Sequence, residues 1–119
     1  MARLLVHVVT GPENPTRAAL GLLVARTAAR AGHDVTGFVA GDAVTLVRRE
    51  TAAVAHGIGT GSVSEHLAAL REAGVPIFLS GMSSKARGIA ESVSDVDVAL
   101  APPEKLVELA TASDTVFTY

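Results

Sequence analysis

The sequence predicts an α/β protein: a single-domain, doubly wound sheet of about five mainly parallel strands with helices on both faces. Three observations predict it. Short apolar runs rich in Val, Leu and Ala, led by RLLVHVVT at residues 3–10, lack the polar alternation of a half-exposed strand, so both of their faces must be covered. These runs alternate with longer segments of helical period, and the joints between them are short and rich in Gly, Pro, Asn and Asp. At 119 residues the chain fits one domain, residues 1–119, around one core, with no internal repeat or low-complexity segment.

The elements follow in order. Arg3 to Thr10 is the central first strand. Gly11 to Pro15 breaks it, with Asn14 placed to N-cap a helix and Pro15 suited to its first position. The helix from Thr16 to Ala31 carries Leu20, Leu23, Val24 and Thr27 at helical steps, and Gly32 stops it. Asp34 to Ala40 is the second strand and ends at Gly41-Asp42. Asp42 is expected to cap a short helical segment, Ala43 to Val47, although a carboxylate just past a strand end can also serve a ligand. Residues 48–61 carry a weak pattern, and Gly57, Gly59 and Gly61 read as a flexible connector. Ser62 and Glu65 have capping-box spacing, so a helix runs from there to Ala73 and stops at Gly74. The third strand is Val75 to Leu79, followed by a turn at Ser80-Gly81 and a short helix from about Ser83 to Glu91. Val96 to Ala101 is the fourth strand. Pro102-Pro103 opens a helix through Ala112, and Thr115 to Tyr119 is β-prone and forms a last strand.

Composition removes whole classes of function. A formal net charge of -2 and an aromatic content of 3% leave neither the basic face nor the stacking platform that nucleic acid needs. The hydrophobic fraction is 49%, yet no run is long enough to span a bilayer, so no membrane partner is expected and the excess is buried in protein, part of it between copies in a homo-oligomer. With no cysteine there is no disulfide framework, thiolate metal site or cysteine nucleophile. The first ten residues carry one positive charge and run straight into a strand, unlike a signal peptide; cytoplasmic location is the default expectation.

The stretch VPIFLSGMSSKARGI, residues 75–89, is the candidate site, because ligands of open parallel sheets lie beyond the carboxyl ends of the strands. Ser80, Gly81, Met82 and Ser83 form the turn, Lys85 and Arg87 could hold an anion beside it, and Asn14 and Asp42 stand at neighbouring strand ends. No other motif competes. The three alternating glycines follow an irregular segment rather than the first strand, and there is no Gly-Lys-Ser/Thr loop, so no nucleotide or other cofactor is expected. His7, His33, His56 and His66 have no metal-ligand spacing, and no metal is expected. His7 reads as a hydrogen-bonded core histidine, His33 as a turn residue and His66 as solvent-facing.

Four runs resemble the DsrE/DsrF-like sulfur-relay family over nearly the whole chain. They are the opening strand with Gly11-Pro12-Glu13-Asn14-Pro15 and its Ala/Leu helix, Gly32-His33-Asp34-Val35, Gly74-Val75-Pro76-Ile77, and Ser84-Lys85-Ala86-Arg87-Gly88-Ile89. The last is the most specific. The resemblance implies a flavodoxin-like fold that assembles as trimers or hexamers. In sulfur-transferring members it also implies a cysteine at the end of the third strand that accepts persulfide sulfur and passes it to a partner protein. Counting back from Arg87-Gly88, that position is Ser80 here, and a hydroxyl cannot form a persulfide. Three roles then stand: a non-catalytic oligomer binding a small anionic or sulfur-containing ligand or a partner protein at Ser80, a structural subunit of a relay complex whose cysteine is on another chain, and a hydrolase using Ser80.

Overall fold

A computed structural model describes residues 1–90 and 97–119. The chain runs β1 (Arg3–Val8), α1 (Pro15–Arg30), β2 (Asp34–Val39), a 3-10 segment (Gly41–Val47), α2 (Arg49–Val54), β3 (His56–Gly57), β4 (Gly61–Ser62), α3 (Val63–Glu72), β5 (Ile77–Ser80), α4 (Gly81–Ala86), β6 (Val98–Ala101), α5 (Pro103–Ala112) and β7 (Thr115–Thr118). Five strands form one sheet in the order β6-β5-β2-β1-β7, and every neighbouring pair is parallel. The expected doubly wound class is therefore present. Counted along the chain the order is 4-3-2-1-5, whereas flavodoxin itself has 2-1-3-4-5, because here the first three crossovers all step the same way.

Strand alternation divides the interior into two layers. Leu4, Val6, Val8, Val35, Val39, Ile77 and Leu79 point to one face, where they meet α1, the 3-10 segment and α3. Leu5, Phe38 and Ala101 point to the other face and meet Leu106, Leu109 and Ala110 of α5. That second face is thinly covered: no residue of α5 is fully buried, and Val107 and Val116 are 61% and 43% exposed. Among the described residues no helix is long and apolar enough to cross a membrane.

Several elements depart from the sequence expectation for definite reasons. In α1 the Asn14 side chain does accept from the Arg17 amide, at 3.2 Å, but the buried stripe is Ala18, Ala19, Gly21, Leu22 and Ala25 rather than Leu20, Leu23, Val24 and Thr27. Small residues allow closer approach to the sheet. A Cβ at Gly21 would stand 3.0 Å from Val8 Cγ2 and 3.1 Å from Tyr119 Cβ. The glycine-rich segment is no loose connector, because β3 and β4 pair as an antiparallel hairpin clamped onto α1. The Ile58 amide donates to Thr16 Oγ1 at 3.0 Å, and Thr60 Oγ1 donates to the Thr16 carbonyl at 3.0 Å. His66, expected at the surface, is 4% exposed and holds the Thr60 carbonyl through Nε2 at 2.7 Å. Thr16 lies 42 residues from Ile58 and 44 from Thr60 in sequence, so local pattern carries no trace of the clamp. The helix after β5 starts at Gly81 and ends at Ala86, where Gly88 at φ +64° turns the chain, so residues 87–90 are not helical. The expected helix end at Glu91 and strand start at Val96 lie outside the described residues.

Candidate functional site

At the carboxyl edge of the sheet the ends of β2, β5 and β6 come together. Ser80 is the last residue of β5 and pairs with Ala101, the last of β6. Its Oγ accepts the Ser83 amide at 3.2 Å, which caps α4 and explains why the helix begins there. A Cβ at Gly81 would lie 3.6 Å from the Ala101 carbonyl, so β6 passes directly against the turn. Met82, next in the turn, is 70% exposed.

The turn is tied to β2 by groups that the sequence assigned other roles. Ser83 Oγ accepts the Gly41 amide at 2.9 Å. Arg87 donates through Nη2 to Asp42 Oδ1 at 2.9 Å and through Nη1 to the Ser83 carbonyl at 3.1 Å, while its own carbonyl accepts from Arg48 at 3.1 Å. Asp42 thus does not cap the 3-10 segment, which has no side-chain cap, because its carboxylate is drawn to the guanidinium. The structure brings Ser80, Gly81, Met82, Ser83, Asp42 and Arg87 together. Lys85 is exposed in the last turn of α4, away from the start of that helix. Asn14 spends its side-chain oxygen on the Arg17 amide.

Chain path makes the Ser80 end of the sheet distinctive. After β5 the chain leaves to the side of the 3-10 segment, against which α4 packs, and Ile89 joins that core layer. After β6 it leaves to the opposite face, where α5 lies. Adjacent strands that diverge in this way leave a crevice between their carboxyl ends. Here the diverging ends are Ser80-Gly81 and Ala101-Pro102.

Sequence reasoning missed Lys105, on the first turn of α5. Its Nζ lies 5.2 Å from the centroid of the Phe78 ring and 3.6 Å from Glu108 Oε1. No motif marks it; the only signal was its place just after the fourth strand.

His7 also differs from expectation. Its Nε2 is buried with no hydrogen-bond partner among the described residues, and its ring stands edge-on to Phe38 at 6.0 Å. Burial lowers its pKa below the ordinary histidine value of 6.5. The unfolded chain then takes up a proton near pH 6.5 that the folded chain resists, so this contribution to stability is complete above that pH and is lost as pH falls toward the folded pKa. Urea unfolding at pH 7.5 and 5.5 should show wild-type stability falling by no more than about 1.4 kcal/mol per pH unit from this group, and His7→Gln should flatten the fall. Equal pH dependence in the two proteins would assign it elsewhere. His33 accepts the Ala2 amide through Nδ1 at 2.9 Å, and His56 is exposed. Among the described residues no group of three or more His, Cys, Asp or Glu could hold a metal ion. The hydrogen bond of Ser80 goes to a backbone amide rather than to a histidine or carboxylate.

Comparison with known proteins agrees with this architecture. The model of the DsrE/DsrF-like family matches residues 3–119. Among solved structures, the YchN protein from E. coli superposes with a TM-score of 0.83 at 21% identity, covering 100% of each chain. A conserved protein of unknown function, BT1422 from Bacteroides thetaiotaomicron, superposes with a TM-score of 0.73 at 14% identity, covering 99% of this chain and 95% of that one. At these identities the likeness is one of fold. No protein with a curated description matches the sequence.

Proposed function

The chain belongs to the DsrE/DsrF-like family, and we propose that it is a non-catalytic, self-assembling member that binds a small anionic or sulfur-containing molecule in the crevice at Ser80. One observation supports this reading: the chain path diverges between adjacent strands at the Ser80-Gly81 turn, in a chain that has no cysteine to react there. The site keeps the place and loses the reactive atom, so binding is what its geometry can still do. Assembly is supported by the second sheet face, since a parallel sheet is normally covered on both sides and, among the described residues, a single half-buried helix covers this one. A trimer or hexamer in sedimentation of the intact chain is the expected state, and a monomer at micromolar concentration would remove that part.

The binding part is tested by thermal shift against sulfate, sulfite, thiosulfate, phosphate and small thiols. At about a hundredfold excess over Kd a genuine ligand stabilises by about 2.7 kcal/mol. Met82→Glu places a negative charge at an exposed position in the turn and should abolish the shift for an anion while leaving the unliganded melting temperature unchanged. A flat response of the wild type across the panel would overturn the reading.

A further inference from the structure

We propose that the cation meeting a bound anion in this crevice is Lys105 of α5, and that Glu108 holds it in reserve when the crevice is empty. This deepens the reading of the Ser80 crevice as a binding site and rests on it. The two cations nearest in sequence are poorly placed. Arg87 is committed to Asp42 and the Ser83 carbonyl, and Lys85 stands in the last turn of α4.

Lys105 approaches from the other side of the cleft. Phe78 and Ser80 are two residues apart on β5, so their side chains share a face and lie about 7 Å apart along the strand. Lys105 Nζ stands over that Phe78 ring. Because Pro102 alone joins β6 to α5, the first turn of α5 lies at the carboxyl edge of the sheet, and helical side chains lean toward their helix N-terminus. The ammonium thus lies on the sheet face that carries the Ser80 side chain, near the carboxyl edge. Lys105 is also the one Lys or Arg on α5, the helix that covers this face.

The resting partner is weak and replaceable. The Lys105–Glu108 pair is long at 3.6 Å, and the Glu108 side chain is 70% exposed, so a bound anion competes with a well-solvated carboxylate. Glu104, on the same turn as Lys105, is exposed and adds a second negative charge that the ligand must tolerate. That arrangement favours a small, compact oxyanion over a large polyanion.

The test is titration of the intact protein with sulfate and thiosulfate by calorimetry at low ionic strength, in wild type, Lys105→Met, Lys105→Arg and Glu108→Gln. Lys105→Met keeps an apolar stem on the Phe78 ring and removes the charge; affinity should fall at least tenfold while the unliganded melting temperature changes little. Lys105→Arg should recover most of the affinity, and Glu108→Gln should raise it a fewfold by freeing the ammonium. If wild type binds and Lys105→Met binds equally well, Lys105 is not the cation, and the crevice reading survives. If neither anion binds wild type, both the crevice as an anion site and the role of Lys105 are overturned.

Discussion

Replacing Ser80 with cysteine is expected to give the turn after β5 a reactive thiol. Wild type, with no thiol anywhere, should take up no persulfide sulfur and no alkylating agent. Ser80→Cys should accept about one equivalent per chain, because Ser80 Oγ already receives the Ser83 amide at the start of α4. The same amide would favour a thiolate. If it lowers the thiol pKa from about 8.5 to about 7, the thiolate fraction at pH 7 rises roughly sixteenfold, partly offset by the lower nucleophilicity of a less basic sulfur. Alkylation by iodoacetamide at pH 7 should therefore run several times faster than for free cysteine. Loss of the hydroxyl cap costs about 1 kcal/mol, which a folded domain can tolerate. A variant that is folded yet alkylates no faster than free cysteine would show that the turn does not activate a thiol.

Gly11→Ala is expected to be the most damaging of the small substitutions. A Cβ there would lie 2.3 Å from the Asp42 carbonyl oxygen and 2.6 Å from its carbonyl carbon, both backbone atoms that no rotamer change can move. Relief requires the loop after β2 to shift. The cost should be on the order of 3 kcal/mol, a fall of about 10 °C in Tm for a domain of this size. The damage should also reach the turn after β5, since Gly41 and Asp42 are bonded to Ser83 and Arg87. Gly37→Ala is the control: its Cβ would meet Ile77 Cγ1 at an ordinary 3.5 Å and should cost far less. Chemical denaturation of both variants decides it, and a Gly11→Ala protein within 0.5 kcal/mol of wild type would show that the Asp42 loop yields freely.

Particular residues show where sequence reasoning reaches and where it stops. Asn14 and Ser62 were legible as caps because a cap is a contact three residues long. Ser80 was legible as the end of a strand and the start of a turn because a strand end followed by a small-residue turn is also local. His66 was not, since its burial depends on Thr60 and on Arg26 Nη1, which stands 3.4 Å from its Nδ1 from another helix. Asp42 was half legible: it stands past a strand end as expected, but the choice between capping and pairing was made by Arg87, 45 residues on.

By itself, then, the sequence determined the fold class, the strand–helix alternation, the family and the absence of a thiol at Ser80, all of which rest on local period, turn chemistry or composition. Only the tertiary structure decided the 4-3-2-1-5 order, the commitment of Arg87 to Asp42 and the placing of Lys105 over Phe78. Those depend on which strand lies beside which and on the face to which the chain leaves each one. Burial and pairing between distant segments set both, and no window along the chain contains the partners.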